Sequence, residues 1–144
     1  MPGTPETVLA FDFGLRRIGV AVGQQVTNSA SPLGIVGNSD NGPDWDRIQA
    51  LIEEWRPQRL IVGMPSHTDG SPAEIGAIVG AFVADLVRFG LPVETVDERY
   101  SSVEAGERLR ALRSAGLRGR IGKEIIDAAA AVLIAERWLK KATQ

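Results

Sequence analysis

The sequence predicts an α/β fold in which a mixed β-sheet carries helices on both faces. Two features indicate this class: short apolar segments with the Val and Ile content of buried strands, and longer segments with the spacing of amphipathic helices. Because the later strands follow helical segments, crossover connections should make them parallel. The predicted strands occupy residues 7–14, 18–23, 31–37, 59–65 and 92–98.

The first three strands are predicted to form an antiparallel meander. Residues 7–14 and 18–23 flank a turn-like segment, Leu15-Arg16-Arg17, which is typical of a hairpin. The third strand, at 31–37, has the weakest pattern. With the two parallel strands that follow, the meander gives a sheet of five strands.

Capping signals and apolar spacing predict four helices. Ser71 with Glu74, and Ser101 with Glu104, have the spacing of capping boxes that open helices. Pro57 stops the first helix, and the last contains four consecutive alanines, which permit close packing on a sheet. The predicted helices span about 42–56, 71–90, 101–113 and 123–141.

At 144 residues the chain has the size of one domain, with 1–6 and 142–144 expected as flexible tails. Its 44% hydrophobic and 24% charged residues are ordinary for a globular protein, and no apolar segment approaches the ~18 residues that span a bilayer. The first residues lack the basic and apolar parts of a secretory signal, and cysteine is absent. We therefore expect a cytoplasmic protein with no membrane partner.

The cations are unevenly distributed. The net charge of −2 argues against a protein that coats nucleic acid. A local basic segment without any acid carries Arg108, Arg110, Arg113, Arg118, Arg120 and Lys123. Such a segment is either a solvated helix face or a surface for an anionic backbone, and the three candidate acids favour nucleic acid.

Two acids occupy positions suited to a metal site. Asp12 ends the first apolar strand, where a buried carboxylate is costly unless it is paired or binds a metal. Asp127 directly precedes the alanine run of the last helix. Each has a plainer alternative, because Asp12 could cap a turn with Gly14 and Asp127 could simply suit a helix N-terminus.

A third acid lies at the end of the last strand, where α/β sheets place their ligands. In the segment Asp97-Glu98-Arg99, alternation puts Asp97 and Arg99 on one face and Glu98 on the other. A solvated loop tip is the more common meaning of such a triplet. The pattern alone leaves both Asp97 and Glu98 as candidates.

Two other kinds of site are disfavoured. His67 is the only histidine, which excludes a histidine-rich zinc site and leaves one possible base for a Ser-His-Asp triad. It lies in a polar segment after a predicted strand, so contact with substrate is a better interpretation than catalysis. Residues 116–124 fail as a phosphate-binding loop, because the glycines are one residue too far apart and Glu124 replaces a Ser or Thr.

Four ordered segments resemble the YqgF/RuvX family, small RNase H-like nucleases to which Holliday junction resolution and pre-16S rRNA processing are assigned. The segments cover nearly the whole chain, which is far more specific than any one short motif. They are LAFDFGLRRIGVAVG, DRIQALIEEWRPQRLIVGMPSHTDG, VDERYSSVEA and KEIIDAAAAVLIAERWL.

The resemblance implies an RNase H-like fold and a metal-dependent nuclease. Carried over by position, the catalytic and metal-binding acids fall on Asp12, Glu98 and Asp127. Their oxygens would hold one or two Mg²⁺ or Mn²⁺ ions, so neither a histidine nor a covalent nucleophile is needed.

The resemblance also implies the substrate. Its substrate-binding positions fall on Arg99, Ser101 and Lys123, to which we add Arg16. The implied partner is nucleic acid, with pre-16S rRNA and ribosomal particles favoured over a four-way DNA junction, although no motif separates RNA from DNA. A junction resolvase ordinarily needs a symmetric dimer, so a monomer and a homodimer both remain open.

Two other classes stay as alternatives. Actin-like ATPases and sugar kinases also carry an acid and glycines in the first hairpin, but they need two such domains around a nucleotide. A non-catalytic RNA-binding or ribosome-assembly factor would keep the fold without cleaving, and three intact acids argue against it.

Overall fold

The computed structural model describes residues 5–64, 73–97 and 123–142. The strands are β1 (Thr7–Asp12), β2 (Arg17–Gln24), β3 (Ser29–Ser39), β4 (Gly42–Pro43), β5 (Arg59–Met64) and β6 (Val93–Asp97). The helices are α1 (Trp45–Trp55), α2 (Ala73–Leu86) and α3 (Lys123–Ala142), and one turn of 3-10 helix, Val87–Phe89, follows α2.

The strands form one sheet in the order β4-β3-β2-β1-β5-β6. β1, β2 and β3 pair antiparallel, whereas β5 and β6 run parallel to β1, as predicted. The predicted number of five strands is wrong, because Gly42 and Pro43 pair with the end of β3 as a sixth. A two-residue strand that contains a proline has no apolar pattern to detect.

Helices cover both faces of the sheet, which confirms the predicted fold class. Alternate residues of a strand face opposite sides. Leu9 and Phe11 of β1 belong to a core layer with Ile48 of α1 and Leu86 of α2. The layer on the other side joins residues of β1 and β5 to α3, and it contains Val8, Ala10, Ile61, Ile134, Ala135, Trp138 and Leu139.

Small residues let α3 lie close to β1 and β2. Ala21 of β2 packs against Ala131 of α3. A Cβ added to Gly23 would lie 3.3 Å from the Cβ of Ala135 and 3.1 Å from the side chain of Val8. A larger residue at either position would push the helix off the sheet.

Arg59 ties four segments together at the end of the sheet where β1 and β5 begin. Its guanidinium donates to Glu6 at 3.1 Å and also to Glu94, and it lies 5.8 Å from the ring centroid of Trp138 in α3. The hydrogen bond to Glu6 raises the pKa of the guanidinium above its ordinary value, so the cation persists at every accessible pH. These contacts fix the C-terminal part of α3 at this end of β5.

Local signals set the helix ends. α1 begins after Asp44, whose carboxylate accepts a hydrogen bond from the Arg47 N–H at 3.2 Å, and it ends at Arg56 in the left-handed conformation. The 3-10 turn after α2 ends at Gly90, with φ 74°, which agrees with the predicted end. The helix predicted at 101–113 lies outside the described residues. In the described part of the chain, no helix is both long and apolar enough to cross a membrane.

Candidate functional site

Asp12 is the last residue of β1 and lies on the α3 side of the sheet. It shares that side with Val8 and Ala10, which pack against α3, and it pairs with Gly19 of β2. The residue is half-buried. It therefore lies at the edge of the sheet where the parallel strands β1, β5 and β6 all end.

The turn after Asp12 is held in place by β3. Asn38 donates from its side-chain amide to the Gly14 carbonyl at 2.8 Å and from its backbone N–H to the Arg16 carbonyl at 3.0 Å. A Cβ on Gly14 would lie 2.4 Å from the carbonyl oxygen of Arg17, so the turn has room only for glycine here. The turn is thus constrained on two sides, which fixes the end of β1.

α3 runs antiparallel to β1, with its N-terminal end toward the edge of Asp12. Ala135 lies at Gly23, and one helical turn earlier Ala131 packs at Ala21. Four residues of helix rise about 6 Å and two residues of strand about 6.7 Å, so helix and strand advance in step. The same relation extends to the next turn of the helix.

That extension brings position 127 level with Asp12. Asp127 precedes Ala131 by four residues. Gly19 precedes Ala21 by two residues and pairs with Asp12. Two of the three predicted acids therefore occupy positions at one level and on one side of the sheet.

β6 ends at the same edge. Its last residue, Asp97, pairs with Met64, and Val96 packs against the α3 layer. Glu98 lies outside the described residues. The choice of Glu98 over Asp97 therefore stays a prediction.

Of the four predicted substrate-binding residues, two lie within the described part of the chain and two lie outside it. Arg16 lies exposed in the β1–β2 turn, where it lines a cavity of about 470 Å³ with the β3–β4 turn. Lys123 is the first residue of α3, at the helix end nearer Asp12. Arg99 and Ser101 lie outside the described residues, as does His67.

A cavity of about 460 Å³, which the sequence did not predict, lies between the β1–β2 turn and α2. Phe13 and Leu15 form one wall, and Ile78 and Phe82 of α2 form another. Leu15 is 59% exposed and Ile78 is 40% exposed. A large apolar residue in the turn that follows Asp12 is the signal that could have found it.

Within 5–64, 73–97 and 123–142, no group of three His, Cys, Asp or Glu residues could hold a metal ion. Glu98 and the side chain of Asp127 lie outside what the structure describes. The predicted set of three acids is therefore not tested by that observation.

The fold places the chain in the class of RNase H-like α/β domains. A solved structure of T. thermophilus RuvC in complex with a Holliday junction substrate matches 95% of this chain and 95% of that chain, with a TM-score of 0.56. The two sequences are 20% identical, so this likeness concerns the fold.

The particular family follows from sequence comparison. The model of the RuvX family, described as Holliday junction resolvase, matches residues 6–141. A protein of Azotobacter vinelandii named "Putative pre-16S rRNA nuclease" is 44% identical over 94% of each chain, and a protein of the same name from Nitrosococcus oceani is 48% identical over 96% of this chain and 89% of its own. The chain belongs to the RuvX family. The predicted family and the predicted enzyme class, a hydrolase acting on phosphodiester bonds, are confirmed.

Proposed function

We propose that the chain is a divalent-metal-dependent nuclease that processes the 5′ end of pre-16S rRNA in the cytoplasm, on free precursor or on ribosomal particles. The observation that carries the proposal is the register of α3 on the sheet, which supports a pairing of Asp12 with Asp127 at the carboxyl edge. The names of the relatives support RNA as the substrate.

The donor set fits Mg²⁺ or Mn²⁺. Asp12, Glu98 and Asp127 supply carboxylate oxygens, which these ions prefer, and the chain has no cysteine and one histidine to favour a softer metal. A bound ion would supply Lewis-acid stabilisation of the negative charge that develops on the phosphate oxygens.

The residues of the chain bind and orient the substrate in this proposal. Asp12 is kept in place by the turn that Asn38 holds, so its carboxylate needs little reorganisation. Arg16, exposed beside that turn, and Lys123, at the start of α3, supply cations for the phosphate backbone. Arg99 and Ser101 would add contacts from the segment after β6.

The proposal is tested by Mg²⁺- or Mn²⁺-dependent cleavage of a short RNA that carries the 5′ leader of the 16S precursor. Cleavage should be lost in Asp12→Asn, because one carboxylate ligand is removed. Glu54→Gln is the control, since Glu54 is exposed in the last turn of α1, at the end of the sheet where β5 begins and away from the carboxyl edge. Equal activity of the two variants would refute the role of Asp12.

Junction resolution is the second candidate, because the family description and the DNA-bound RuvC structure both name a Holliday junction. A four-way DNA junction therefore belongs in the same assay. An uncut RNA with a cut junction would assign resolution instead, and a homodimer in solution would then be expected. If wild type cleaves neither, the chain is better explained as an RNA-binding factor.

A further inference from the structure

We propose that the apolar cavity beside the Asp12 turn binds one unpaired base of the nucleic-acid substrate. This base groove is formed by Phe13, Leu15, Ile78 and Phe82, with Asp85 at its rim. The inference rests on the proposed nuclease function. It adds a subsite on the opposite side of the sheet from the acids.

The base groove begins one residue after Asp12. Asp12 lies on the α3 side of β1, whereas Phe13 packs against the core layer of α1 and α2. Phe13 follows Asp12 directly, so the groove and the acid lie at the same end of β1, although their side chains lie on opposite sides of the sheet. A nucleic-acid strand with a phosphodiester at Asp12 would reach the groove by passing over the end of β1.

The size and the walls of the groove suit a base. Its volume, about 460 Å³, lies within the range of about 300–1,000 Å³ that is usual for small-molecule sites. The half-buried ring of Phe13 packs on the buried ring of Phe82, with the ring centroids 5.0 Å apart, and the exposed side chains of Leu15 and Ile78 extend the apolar surface. A base of any sequence presents a flat face that can pack on the ring of Phe13.

Charge decides which part of the nucleotide enters. Asp40 and Asp85 also line the groove, and their carboxylates would repel a phosphate. A carboxylate accepts a hydrogen bond from an exocyclic amino group, such as N4 of cytosine, which uracil lacks. Arg16 lines the adjoining cavity, which shares Asn38 with the groove and suits the backbone phosphate. The base therefore lies in the groove and the phosphate on the Arg16 side.

The probes are fluorescent oligocytidylate and oligouridylate of about 12 nucleotides, within the length that one single-strand-binding domain covers. Binding is measured by anisotropy in Ca²⁺, with a gel to confirm that the RNA stays intact. Ile78→Glu and Leu15→Asp place a charge on two walls of the groove. Val87→Glu and Val26→Asp are the matched controls, because Val87 is 60% exposed and Val26 is 73% exposed, and neither lines the groove.

Each groove variant should weaken oligocytidylate binding roughly tenfold, and each control by less than about twofold. Wild type should prefer oligocytidylate by roughly fivefold, and Asp85→Ala, which removes the acceptor, should reduce that preference. Melting curves establish whether each variant is folded. Because the two groove variants lie on different walls, a folding defect in one of them would not explain a loss of binding in both.

Equal weakening in groove and control variants would overturn the base groove, and so would unchanged affinity in both groove variants. A change in solution mass of Ile78→Glu alone would assign the groove to a second copy of this chain instead. Cleavage that depends on Asp12, together with normal RNA binding by the groove variants, overturns only this inference. Absent cleavage with the expected binding losses overturns only the nuclease proposal.

Discussion

Replacing Gly14 with alanine should distort the turn that fixes Asp12. The new Cβ would lie 2.4 Å from the carbonyl oxygen of Arg17, whereas Cβ atoms essentially never approach another atom within 3.0 Å. The obstacle is backbone, so the turn must open by at least about 0.6 Å, and overpacking of this kind costs about 1–3 kcal/mol. Because Asp12 is two residues away, and a misplacement of about 1 Å can reduce a rate by about 100-fold, cleavage should fall about 10- to 100-fold.

The matched control is Gly37→Ala. Gly37 lies in β3 opposite Arg17, and a Cβ there meets nothing within 4 Å. That variant should be neutral or slightly stabilised, by about 0.4–1 kcal/mol, because alanine restricts the unfolded chain. Thermal unfolding followed by circular dichroism separates the two, since a domain of this size loses about 2–4 °C per kcal/mol. We expect Gly14→Ala to melt about 2–12 °C below wild type.

Equal melting temperatures for Gly14→Ala and Gly37→Ala would refute the steric argument. A destabilised Gly14→Ala that cleaves at the wild-type rate, well below its melting temperature, would refute the second step. The turn would then contribute to stability without positioning Asp12.

Two further predictions concern the helices. Arg56→Gly should stabilise the fold by about 1 kcal/mol, because Arg56 has φ 46° after α1 and glycine adopts that conformation without a steric cost; a denaturant midpoint at or below that of wild type would contradict this. Ala131→Leu should lower the free energy of unfolding by about 1–3 kcal/mol, because Ala131 is fully buried against Ala21. The larger side chain should displace α3, and position 127 with it, so cleavage should also fall. The control is Ala50→Leu, since Ala50 is exposed in α1. Equal unfolding midpoints for the two alanine variants would argue against the close packing of α3 on the sheet.

The central strands were predictable because they are buried on both faces and so read as continuous apolar segments. β1, β2 and β5 begin and end within two residues of the predicted bounds. β3 is longer than predicted, Ser29–Ser39 against 31–37, because much of it is exposed and it pairs with β2 through a register shift between Val20 and Ala21. Partial exposure weakens the pattern from which strand ends are inferred.

The candidate site was proposed from residue types rather than from geometry. A carboxylate at the end of an apolar strand is a local signal, so Asp12 could be proposed as a candidate from its neighbours alone. Whether position 127 lies level with it depends on how far α3 is displaced along the sheet, which is set by tertiary contacts such as the packing of Ala131 and Ala135. The base groove was not predictable, because its walls come from the β1–β2 turn, the β3–β4 turn and α2.

α3 is held on the sheet by contacts near its middle and near its C-terminal end, and both bear on the level of position 127. Trp138 lies over Arg59, whose partner in β1 is Val8. The eleven residues of helix from Trp138 back to Asp127 rise about 16 Å, and the four residues of strand from Val8 to Asp12 rise about 13 Å. The two rises differ by about 3 Å, so the Arg59 contact places position 127 within about one strand residue of the level that the Ala131 and Ala135 contacts give. The two sets of contacts restrain the same helix at different points, so displacing α3 at either one should shift position 127 relative to Asp12.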